Sequence, residues 1–277
     1  MIELKADQLS RIAEIARGEA GLHLPATKAV FVASRLQRRL RATGVRDFDT
    51  YLTLASAHGP AGAKERMHMV SALTTNVTAL YREAHHFHLL SDWLARVAQR
   101  GRPGKLFLWS AGCASGEEPL CMAATCRRVL GLHWRKRARI LATDIDPETL
   151  ATARERTQED QAFTRRLAAA PEAEAEASLI ADDQLIRNLQ AGITYRQHNL
   201  LAEQPTEAPF DVIFCRNVTI YFDRDSQREA HGNLVRALNP GGLLALGHSE
   251  RLIAEGTGLT LAGSTAYHLV QQTENSP

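Results

Sequence analysis

The clearest structural pattern in this sequence is Lys105-Leu-Phe-Leu-Trp-Ser-Ala-Gly-Cys-Ala-Ser-Gly-Glu-Glu-Pro119. It begins as a short apolar run, passes through a loop of small residues and continues into a helical pattern that extends to about Leu130. A short apolar run bounded by a glycine-containing loop is typical of a buried strand. The stretch therefore predicts a strand, a tight loop and a helix in succession.

The same alternation of apolar runs and helices continues along the rest of the chain. Buried strands that alternate with helices indicate a mostly parallel sheet covered on both faces. Two runs around Gly263-Ser264 suit a hairpin, and Asn239-Pro-Gly-Gly242 suits a turn. We predict an α/β fold: a doubly wound, mostly parallel Rossmann-like sheet with an antiparallel C-terminal edge. The further strand candidates are Arg139–Asp144, Ile193–Arg196, Phe210–Cys215, Leu243–Leu246, Leu259–Ala262 and Ala266–Val270, and a helix is expected from about Gln227 to Leu238.

The first 70 or so residues show helical patterns only. Apolar residues recur at helical spacing up to Gly21, which is placed to end the first helix. A second helix is predicted over about 28–41, with Gly44 as its stop. Asp47 suits the N-cap of a third helix. These patterns predict a small all-helical module in front of the sheet.

Changes in composition divide the chain into parts. We predict a helical N-terminal domain over 1–72, a linker over 73–90 and the α/β domain over 91–277. Within the α/β domain, 151–192 is rich in alanine, glutamate, arginine and glutamine and interrupts the strand pattern. We predict that it forms an inserted, solvated helical subdomain.

The overall composition is that of an ordinary globular protein, with 44% hydrophobic and 23% charged residues. The formal net charge of +2 is too small to indicate a nucleic-acid-binding protein. No run approaches the ~20 apolar residues that span a bilayer, and the charged N-terminus does not suit a signal peptide. We expect a cytoplasmic protein without disulfides, because its four cysteines lack paired spacing: Cys113, Cys121, Cys126 and Cys215.

The loop after the first strand carries the first functional signal. Gly112 and Gly116 allow the backbone to approach a ligand closely. The loop lacks the G-x-G-x-x-G pattern of dinucleotide sites and the G-K-[ST] pattern of nucleoside triphosphate sites. Glu117 and Glu118 stand where a phosphate-binding loop is neutral or basic. They favour a cationic ligand group, although the same acids also suit the helix dipole alone.

Polar residues also follow the next two strands. Asp144 ends the second strand, where an acidic residue accepts hydrogen bonds from ribose hydroxyls, although it also suits a helix cap. Asp146, next to Pro147, is the better cap. Asn199 follows the third strand, and the carboxyl ends of parallel strands meet at one edge of the sheet. Together these residues describe a site for a nucleoside with a charged amino-acid end and no phosphates, which is S-adenosylmethionine.

Four sequence motifs resemble those of the CheR family of chemotaxis receptor methyltransferases. Thr75-Asn-Val-Thr-Ala-Leu-Tyr-Arg-Glu-Ala-His-His-Phe87 is similar to the family's T-N-x-T-x-F-F-R-x-x-x-x-F segment. Ser110 to Pro119 resembles its S-A-x-x-x-x-G-E-E-P loop, and Phe214 to Phe222 resembles its F-C-R-N-x-x-I-Y-F segment. Gly247-His-Ser-Glu250 is similar to a further signature, and the R-L-x-R-R-L pattern at Arg35 to Leu40 extends the likeness to the N-terminal helices.

The resemblance implies the roles of individual residues. Leu80 and Tyr81 depart from the family's two aromatics, and Leu120-Cys121 departs from its Tyr-Ser, but these changes keep apolar or small character. Tyr221 is expected beside the transferred methyl group, and Arg82 is expected to orient a carboxylate. The expected contacts to the cofactor S-adenosylmethionine are Asn76, Thr78, Arg82, Glu118, Asp144, Asn199, Leu200, Arg216 and Asn217.

The chemistry of such an enzyme needs no strong base. A glutamate acceptor has a reference pKa of about 4.3 and is therefore ionised at neutral pH. Catalysis is then expected to come from positioning and from the removal of water, with Arg82 and Tyr221 as the catalytic residues. The alternatives are that Arg82 pairs with Glu83 or Glu118, and that Tyr221 is a packed aromatic. The neighbouring histidines at 85, 86 and 88 lack companion ligands in the sequence, so no metal is expected.

The second helix carries a basic stripe without an intervening acid. Such a stripe is usually a solvated face, but it also complements the glutamate-bearing helical bundle of a methyl-accepting chemotaxis receptor. We expect that bundle as the partner, with no nucleic acid, no direct membrane insertion and a monomeric enzyme. The residues expected to recognise the substrate are Lys28, Arg35, Arg38, Arg39 and Arg41.

Two further hypotheses remain open from the sequence. The same chemistry could act on another signalling protein or a small carboxylate, or the chain could be a regulatory module that binds S-adenosylmethionine without turnover. In some family members the region equivalent to 151–190 holds a β-subdomain that grips a receptor's C-terminal tail. Between 166 and 181 only Ile180 has strand-forming character, so we expect no requirement for a receptor-tail peptide.

Overall fold

Four helices form the N-terminal part of the molecule. The computed structural model describes residues 2–156, 161–168, 184–253 and 258–270. A 3-10 turn at Ala26–Lys28 leads into the second of the N-terminal helices. In chain order these helices are α1 Ala6–Ala20, α2 Ala29–Thr43, α3 Phe48–Ala55 and α4 Pro60–Leu73.

The predicted helix ends are set by local backbone chemistry. Gly21 and Gly44 end α1 and α2 in the left-handed conformation, with φ of 68° and 73°, which glycine adopts without a steric cost. The Asp47 side chain accepts a hydrogen bond from the N–H of Thr50 at 2.7 Å and caps α3. These three signals are confirmed, while Lys28 lies in the preceding 3-10 turn and not in α2.

The apolar faces of α1 to α4 meet in one core. Ile12, Leu36, Tyr51 and Met69 are fully buried there. Tyr221 and Phe222 from the sheet half of the chain pack against the same core and join it to the edge of the sheet. Leu22 also forms an isolated antiparallel bridge with Phe222. The helical part is therefore in direct contact with the loops that follow the strands.

Helices and strands alternate after residue 84, as predicted. The central strands lie between two layers of helices and are buried along most of their length. This burial explains why they occur in the sequence as apolar runs separated by helical patterns. The elements are α5 His85–Gln99, β1 Leu106–Ala111, α6 Glu117–Leu130, α7 Trp134–Arg137, β2 Ala138–Asp144, α8 Pro147–Glu155, α9 Gln161–Ala168, α10 Leu185–Gln190, β3 Ile193–Gln197, β4 Phe210–Cys215, a 3-10 turn at Thr219–Tyr221, α11 Arg224–Arg236, β5 Leu238–Leu246, β6 Leu259–Gly263 and β7 Ala266–Leu269.

One seven-stranded sheet holds these strands in the order β3-β2-β1-β4-β5-β7-β6. The pairs from β3 to β5 are parallel, and β7 pairs antiparallel with both β5 and β6. The fold prediction is confirmed, including the C-terminal hairpin. The strand order reverses between β1 and β4, and in open α/β sheets such a switch point opens a crevice at the carboxyl ends of the strands. The loops after β1 and β4 meet at that crevice.

The predicted turn at 239–242 is wrong. The segment lies inside β5, where Phe210 pairs with Leu238 and Val212 pairs with Leu243, so the register shifts between them. The side-chain amide of Asn239 donates to Asp211 at 2.8 Å and holds this irregular part against β4. Residues that suit a turn therefore build a bulge within a strand.

The structure describes only part of the predicted subdomain. Between 151 and 192 the structure describes the end of α8, α9 and α10, and the run from 169 to 183 lies outside the described residues. The prediction about a receptor-tail peptide depends on that run. None of the described helices is long and apolar enough to cross a membrane.

Candidate active site

A cleft opens at the switch point between β1 and β4. It encloses about 930 Å³, including space open to solvent, which suits a ligand of the size of a nucleoside joined to an amino acid. Leu200 forms part of its apolar wall and Thr78 lines it from the segment that precedes α5. Every side chain predicted to touch the cofactor or the methyl group lines this cleft: Asn76, Thr78, Arg82, Glu118, Asp144, Asn199, Leu200, Arg216, Asn217 and Tyr221.

The loop after β1 is tied to Asp144 at the end of β2. The carboxylate of Asp144 accepts the N–H of Ala114 at 2.8 Å and the N–H of Asp146 at 3.0 Å. A Cβ on Gly112 would lie 2.3 Å from Val218, so only glycine fits there, and its φ is 86°. Burial raises the pKa of Asp144, against the two N–H groups. Asp144 shapes the loop and still lines the cleft.

Glu118 and Arg216 form a buried ion pair at the floor of the cleft. Arg216 Nη1 lies 3.0 Å from Glu118 Oε2, and the Ser110 hydroxyl donates to Glu118 Oε1 at 2.7 Å. Burial raises the pKa of Glu118, with Arg216 and Ser110 acting in the opposite direction. The guanidinium is also stacked near the rings of Phe87 and Phe214. The charge of Arg216 is thus committed mainly to the protein.

Glu83 is the second carboxylate that holds Arg216. Its Oε2 lies 3.4 Å from Arg216 Nη2, and its Oε1 accepts the Asn217 side-chain amide at 3.2 Å and the His248 N–H at 3.1 Å. Burial alone would raise the pKa of Glu83, but the His248 N–H and the charge of Arg216 outweigh it and hold that pKa below its usual value. Arg216 also donates to the carbonyl of Arg82. This network joins the first motif to the end of β4.

Arg82 itself points away from this network. Its side chain is exposed, and Nη1 donates to the carbonyl of Val77 at 3.1 Å. The ion pairs considered for it with Glu83 and Glu118 are made by Arg216 instead. Arg82 is therefore an exposed guanidinium at the rim of the cleft, where an incoming carboxylate has access.

Tyr221 lies where the cleft meets the helical domain. The 3-10 turn after β4 presents its ring to the cleft, and its carbonyl accepts the N–H of His23 at 2.8 Å. A second, more apolar groove shares Tyr221, Leu22 and Thr75 with the cleft. Tyr221 is thus half-buried between two openings and is accessible from both.

Asn76 and Asn199 also line the cleft but have protein partners. The Asn76 amide donates to Asp146 at 2.8 Å and to Thr149 at 2.6 Å. The Asn199 amide donates to the carbonyl of Glu19 at 2.8 Å, which ties the loop after β3 to α1. Asn76 therefore attaches the segment before α5 to the start of α8, and Asn199 attaches the sheet to the helical part.

Comparison with known proteins gives the family. The model of the CheR methyltransferase SAM-binding domain matches residues 76–268, and the model of the CheR methyltransferase all-alpha domain matches residues 7–74. This chain belongs to the CheR methyltransferase family.

Several curated CheR-type relatives match along most of their length. A probable chemotaxis protein methyltransferase of Rhizobium etli is 39% identical over 246 residues, which is 86% of this chain and 90% of the relative. The chemotaxis protein methyltransferase of Escherichia coli is 38% identical over 274 residues, or 94% of this chain and 89% of the relative. Chemotaxis protein methyltransferase 2 of Pseudomonas aeruginosa is 36% identical, with 89% and 87% covered.

The cofactor of this CheR methyltransferase is S-adenosylmethionine. The residues of the cleft fit it: Asp144 stands at the end of β2, where ribose hydroxyls bind, and the Gly112 loop leaves room for close approach. The carboxylate of Glu118 lines the cleft and suits a ligand that carries positive charge. No lysine lines the cleft among the described residues, and Arg216 is neutralised by its two glutamates. The acidic part of the cleft suits a sulfonium and an ammonium group, while Arg82 adds a guanidinium at the rim.

The basic residues predicted to recognise the substrate differ in their exposure. Arg35, Arg38 and Arg41 are exposed, and Arg38 makes a solvent-exposed pair with Glu148 at 3.4 Å. Lys28 is half-buried, with Nζ 6.0 Å from the centre of the Tyr221 ring.

Arg39 does not belong to the exposed stripe, which corrects the prediction for it. Its guanidinium makes two bonds to Glu65 at 3.1 and 2.7 Å, and Tyr51 donates to the same carboxylate at 2.8 Å. Glu65 comes from α4 and was not visible as a partner within α2. Arg39 joins three helices of the domain, and its side chain is only 16% exposed.

Two carboxylates of the CheR site were not assigned from the sequence. Glu83 holds Arg216 and Asn217, and Glu250 holds the loop after β4. Both lie inside motifs that were recognised, one in the first and one in Gly247-His-Ser-Glu250. The sequence signal for both residues is an acidic side chain inside a motif that resembles one of the family's motifs.

Proposed function

We propose that this enzyme transfers the methyl group of S-adenosylmethionine to glutamate side chains of methyl-accepting chemotaxis receptors, giving glutamate methyl esters. The observation that carries the proposal is the cleft itself, in which an exposed Arg82 and an accessible Tyr221 share one opening above the acidic floor. The relatives named as chemotaxis protein methyltransferases, which match both domains, support the biological setting.

We assign some residues of the cleft to the cofactor and others to the acceptor. When bound, S-adenosylmethionine supplies an electrophilic methyl group on a sulfonium cation. We assign Asp144 to the ribose and Glu118 to the positively charged end, while the loop at Gly112 excludes water from that side. Asn76, Thr78, Asn199, Leu200, Arg216 and Asn217 complete the wall.

The acceptor side is assigned to Arg82 and Tyr221. Arg82 binds a carboxylate by a charge-assisted hydrogen bond and brings it into line with the methyl group. Tyr221 packs its ring beside the methyl group and limits the approach of water. Because the acceptor is already ionised, no proton needs to be removed, and orientation can supply up to ~7–11 kcal/mol of the barrier reduction.

Receptor recognition is assigned to the exposed cations of the helical domain, which we propose to extend over residues 1–72. Arg35 and Arg38 line a groove that shares Thr74 and Asn76 with the cleft, and Lys28 lies close to Tyr221. The exposed Arg41 adds positive charge to the same helix. A glutamate-bearing helical bundle is complementary to that surface. We propose that the enzyme acts as a monomer in the cytoplasm, with 73–90 as the linker and 91–277 as the catalytic domain.

The proposal is tested by incubating the protein with radiolabelled S-adenosylmethionine and receptor-containing membranes. Carboxyl methyl esters release their label as methanol in mild base, so base-labile label in the receptor band supports it. Membranes without receptors are the control. Base-labile label in a soluble protein or small molecule would favour the second substrate class, and tight cofactor binding without any transfer would favour a regulatory module.

A further inference from the structure

A single buried side chain holds the loop that carries Asn217 and Tyr221. Glu250 follows β5 and is 3% exposed. Among the described residues, its carboxylate accepts six hydrogen bonds. The donors are the main-chain N–H groups of Asn217 at 2.7 Å, Val218 at 3.0 Å, Thr219 at 2.7 Å, Ile220 at 3.3 Å and Gly247 at 2.6 Å, together with the Thr219 hydroxyl at 2.8 Å.

The conformation of this loop explains why a carboxylate is needed. Asn217 has a φ of 60°, in the left-handed region, which turns its N–H and those of the next residues toward one point. Successive N–H groups that converge in this way form a concavity that binds anions. In this enzyme the anion is supplied by the chain itself. The loop therefore keeps its shape without a bound ligand.

The loop is a wall of the cleft on the acceptor side. Val218 packs against Gly112 so closely that a Cβ there would clash, which fixes the distance between this loop and the cofactor loop. Asn217 donates to Glu83, and Tyr221 ends the same segment. A change in the loop would shift Tyr221 and Asn217 together, while Asp144 and its partner Ala114 are held by separate bonds.

Neighbouring residues are arranged to keep Glu250 in place. A Cβ on Gly247 would lie 2.6 Å from Glu250 Oε2, so glycine is required for the approach. His231 Nδ1 accepts the N–H of Ile253 at 3.0 Å, which leaves the proton on Nε2. Nε2 then donates to the Thr219 hydroxyl at 3.3 Å, and that hydroxyl donates to Glu250. A chain of hydrogen bonds thus aligns the carboxylate.

We propose that Glu250 is a positioning residue for methyl transfer, which acts through Asn217 and Tyr221 without touching cofactor or acceptor. The assignment rests on the proposed function of the site. It requires that loss of the carboxylate slows transfer more than it weakens cofactor binding, because Asp144 and Ala114 are held by bonds that do not involve Glu250, while Asn217 is one wall residue among several.

The test is Glu250→Gln, which places an N–H against main-chain N–H groups with almost no change in volume. We expect kcat for receptor methylation to fall about 10- to 100-fold. The Kd for S-adenosylhomocysteine by calorimetry should stay within about threefold, and deuterium exchange in the peptide over 216–222 should accelerate. Glu229→Gln, an exposed glutamate on α11, is the matched control and should behave as the parent protein.

Two further variants separate positioning from general stability. In a Tyr221→Phe background the loss caused by Glu250→Gln should be smaller, since both changes act on the same group. If Glu250→Gln does not fold, Thr219→Val removes only the hydroxyl donor and should lower kcat about three- to tenfold with the same unchanged affinity. Unchanged kcat, or an equal loss of kcat and of product affinity, overturns the assignment. An inactive parent protein overturns the proposed function, and the assignment with it.

Discussion

The guanidinium of Arg216 lies 3.0 Å from the carboxylate of Glu118, and Glu83 contacts the same guanidinium from the other side. The three residues come from three separate motifs and from three elements of the fold. Their meeting point is the floor of the cleft. A buried cation between two carboxylates leaves the floor with negative character, which suits a cationic cofactor.

Removing that cation should weaken the fold strongly. Arg216→Ala leaves Glu118 and Glu83 buried without their partner, and we expect the free energy of unfolding to fall by about 3–5 kcal/mol. Arg228→Ala is the control, because its pair with Asp225 at 3.0 Å is solvent-exposed and should contribute only ~0–1 kcal/mol. Urea unfolding of both variants makes the comparison. Equal, small losses would show that the buried pair has no special structural role.

Asp144 should control cofactor affinity. Asp144→Ala removes the carboxylate that we assign to the ribose and that holds the Ala114 N–H. The Kd for S-adenosylhomocysteine should rise roughly 10- to 150-fold, which corresponds to about 1.5–3 kcal/mol of binding free energy. Asp47→Ala removes a helix cap far along the chain and should reduce stability by ~1 kcal/mol without changing affinity. Calorimetry on the folded variants decides. A parent-like Kd for Asp144→Ala would remove it from the cofactor site.

Exposed and inward-facing arginines of α2 should give opposite phenotypes. Arg35→Ala combined with Arg38→Ala should raise the KM for receptor roughly three- to tenfold at low ionic strength, less at high salt, and leave stability unchanged. Arg39→Ala leaves Glu65 buried without its cation and should cost about 3 kcal/mol of stability. Arg96→Ala combined with Arg100→Ala, two exposed changes at the end of α5, is the charge-matched control. A double variant with parent-like KM at every salt concentration would remove α2 from receptor recognition.

Stability should fall in mild acid because of His86. Burial, followed by the charges of Arg216 and His85, lowers the pKa of His86 to about 4. As the pH falls below about 6.5, the imidazole of His86 binds a proton in the unfolded chain but not in the folded protein. The free energy of unfolding therefore decreases between about pH 6.5 and pH 4. The loss attributable to His86 between pH 7.5 and 5 should be about 2 kcal/mol. His198 and His231 act in the same direction, because burial lowers the pKa of each.

A variant isolates the contribution of His86. His86→Gln keeps a donor for the carbonyl of Ser264, which the ring nitrogen contacts at 3.1 Å, and removes the titration. Its unfolding free energy should therefore depend less on pH than that of the parent protein. His58→Gln changes an exposed histidine of the helical domain that does not influence the pKa of His86, and should keep the parent's pH dependence. Parallel pH profiles for parent and His86→Gln would show that another group is responsible.

The sheet could be predicted from the sequence because its strands are buried on both faces. Phe210–Cys215 has the same bounds in the prediction and in the structure, since a continuous apolar run leaves little choice of ends. The turn predicted at Asn239–Gly242 was wrong because residues that favour a turn also suit a bulge within a strand. Helix α4 was not predicted individually, and its residue Glu65 is placed by contacts with Arg39 and Tyr51.

The residues that line the cleft could be predicted from sequence motifs, but their hydrogen-bond and ion-pair partners could not. All the residues predicted to touch the cofactor or the methyl group line it, and those that follow strands do so because topology brings the strand ends together at one edge of a parallel sheet. Which arginine pairs with Glu118 depends on side-chain direction, and the structure selects Arg216 over Arg82. Glu250 acts on residues some 30 positions earlier in the chain, and sequence spacing does not reveal such a contact.

The most direct test of the central claim is to map the methylated atom. Purified receptor is incubated with the parent protein and S-adenosylmethionine, digested and analysed by mass spectrometry before and after mild base. We predict a mass increase of one methylene on glutamate side chains of the receptor's helical cytoplasmic bundle, removed by base and reduced with Asp144→Ala. Methyl groups on lysine, arginine or cysteine, or glutamate methylation confined to a protein other than a chemoreceptor, would contradict it.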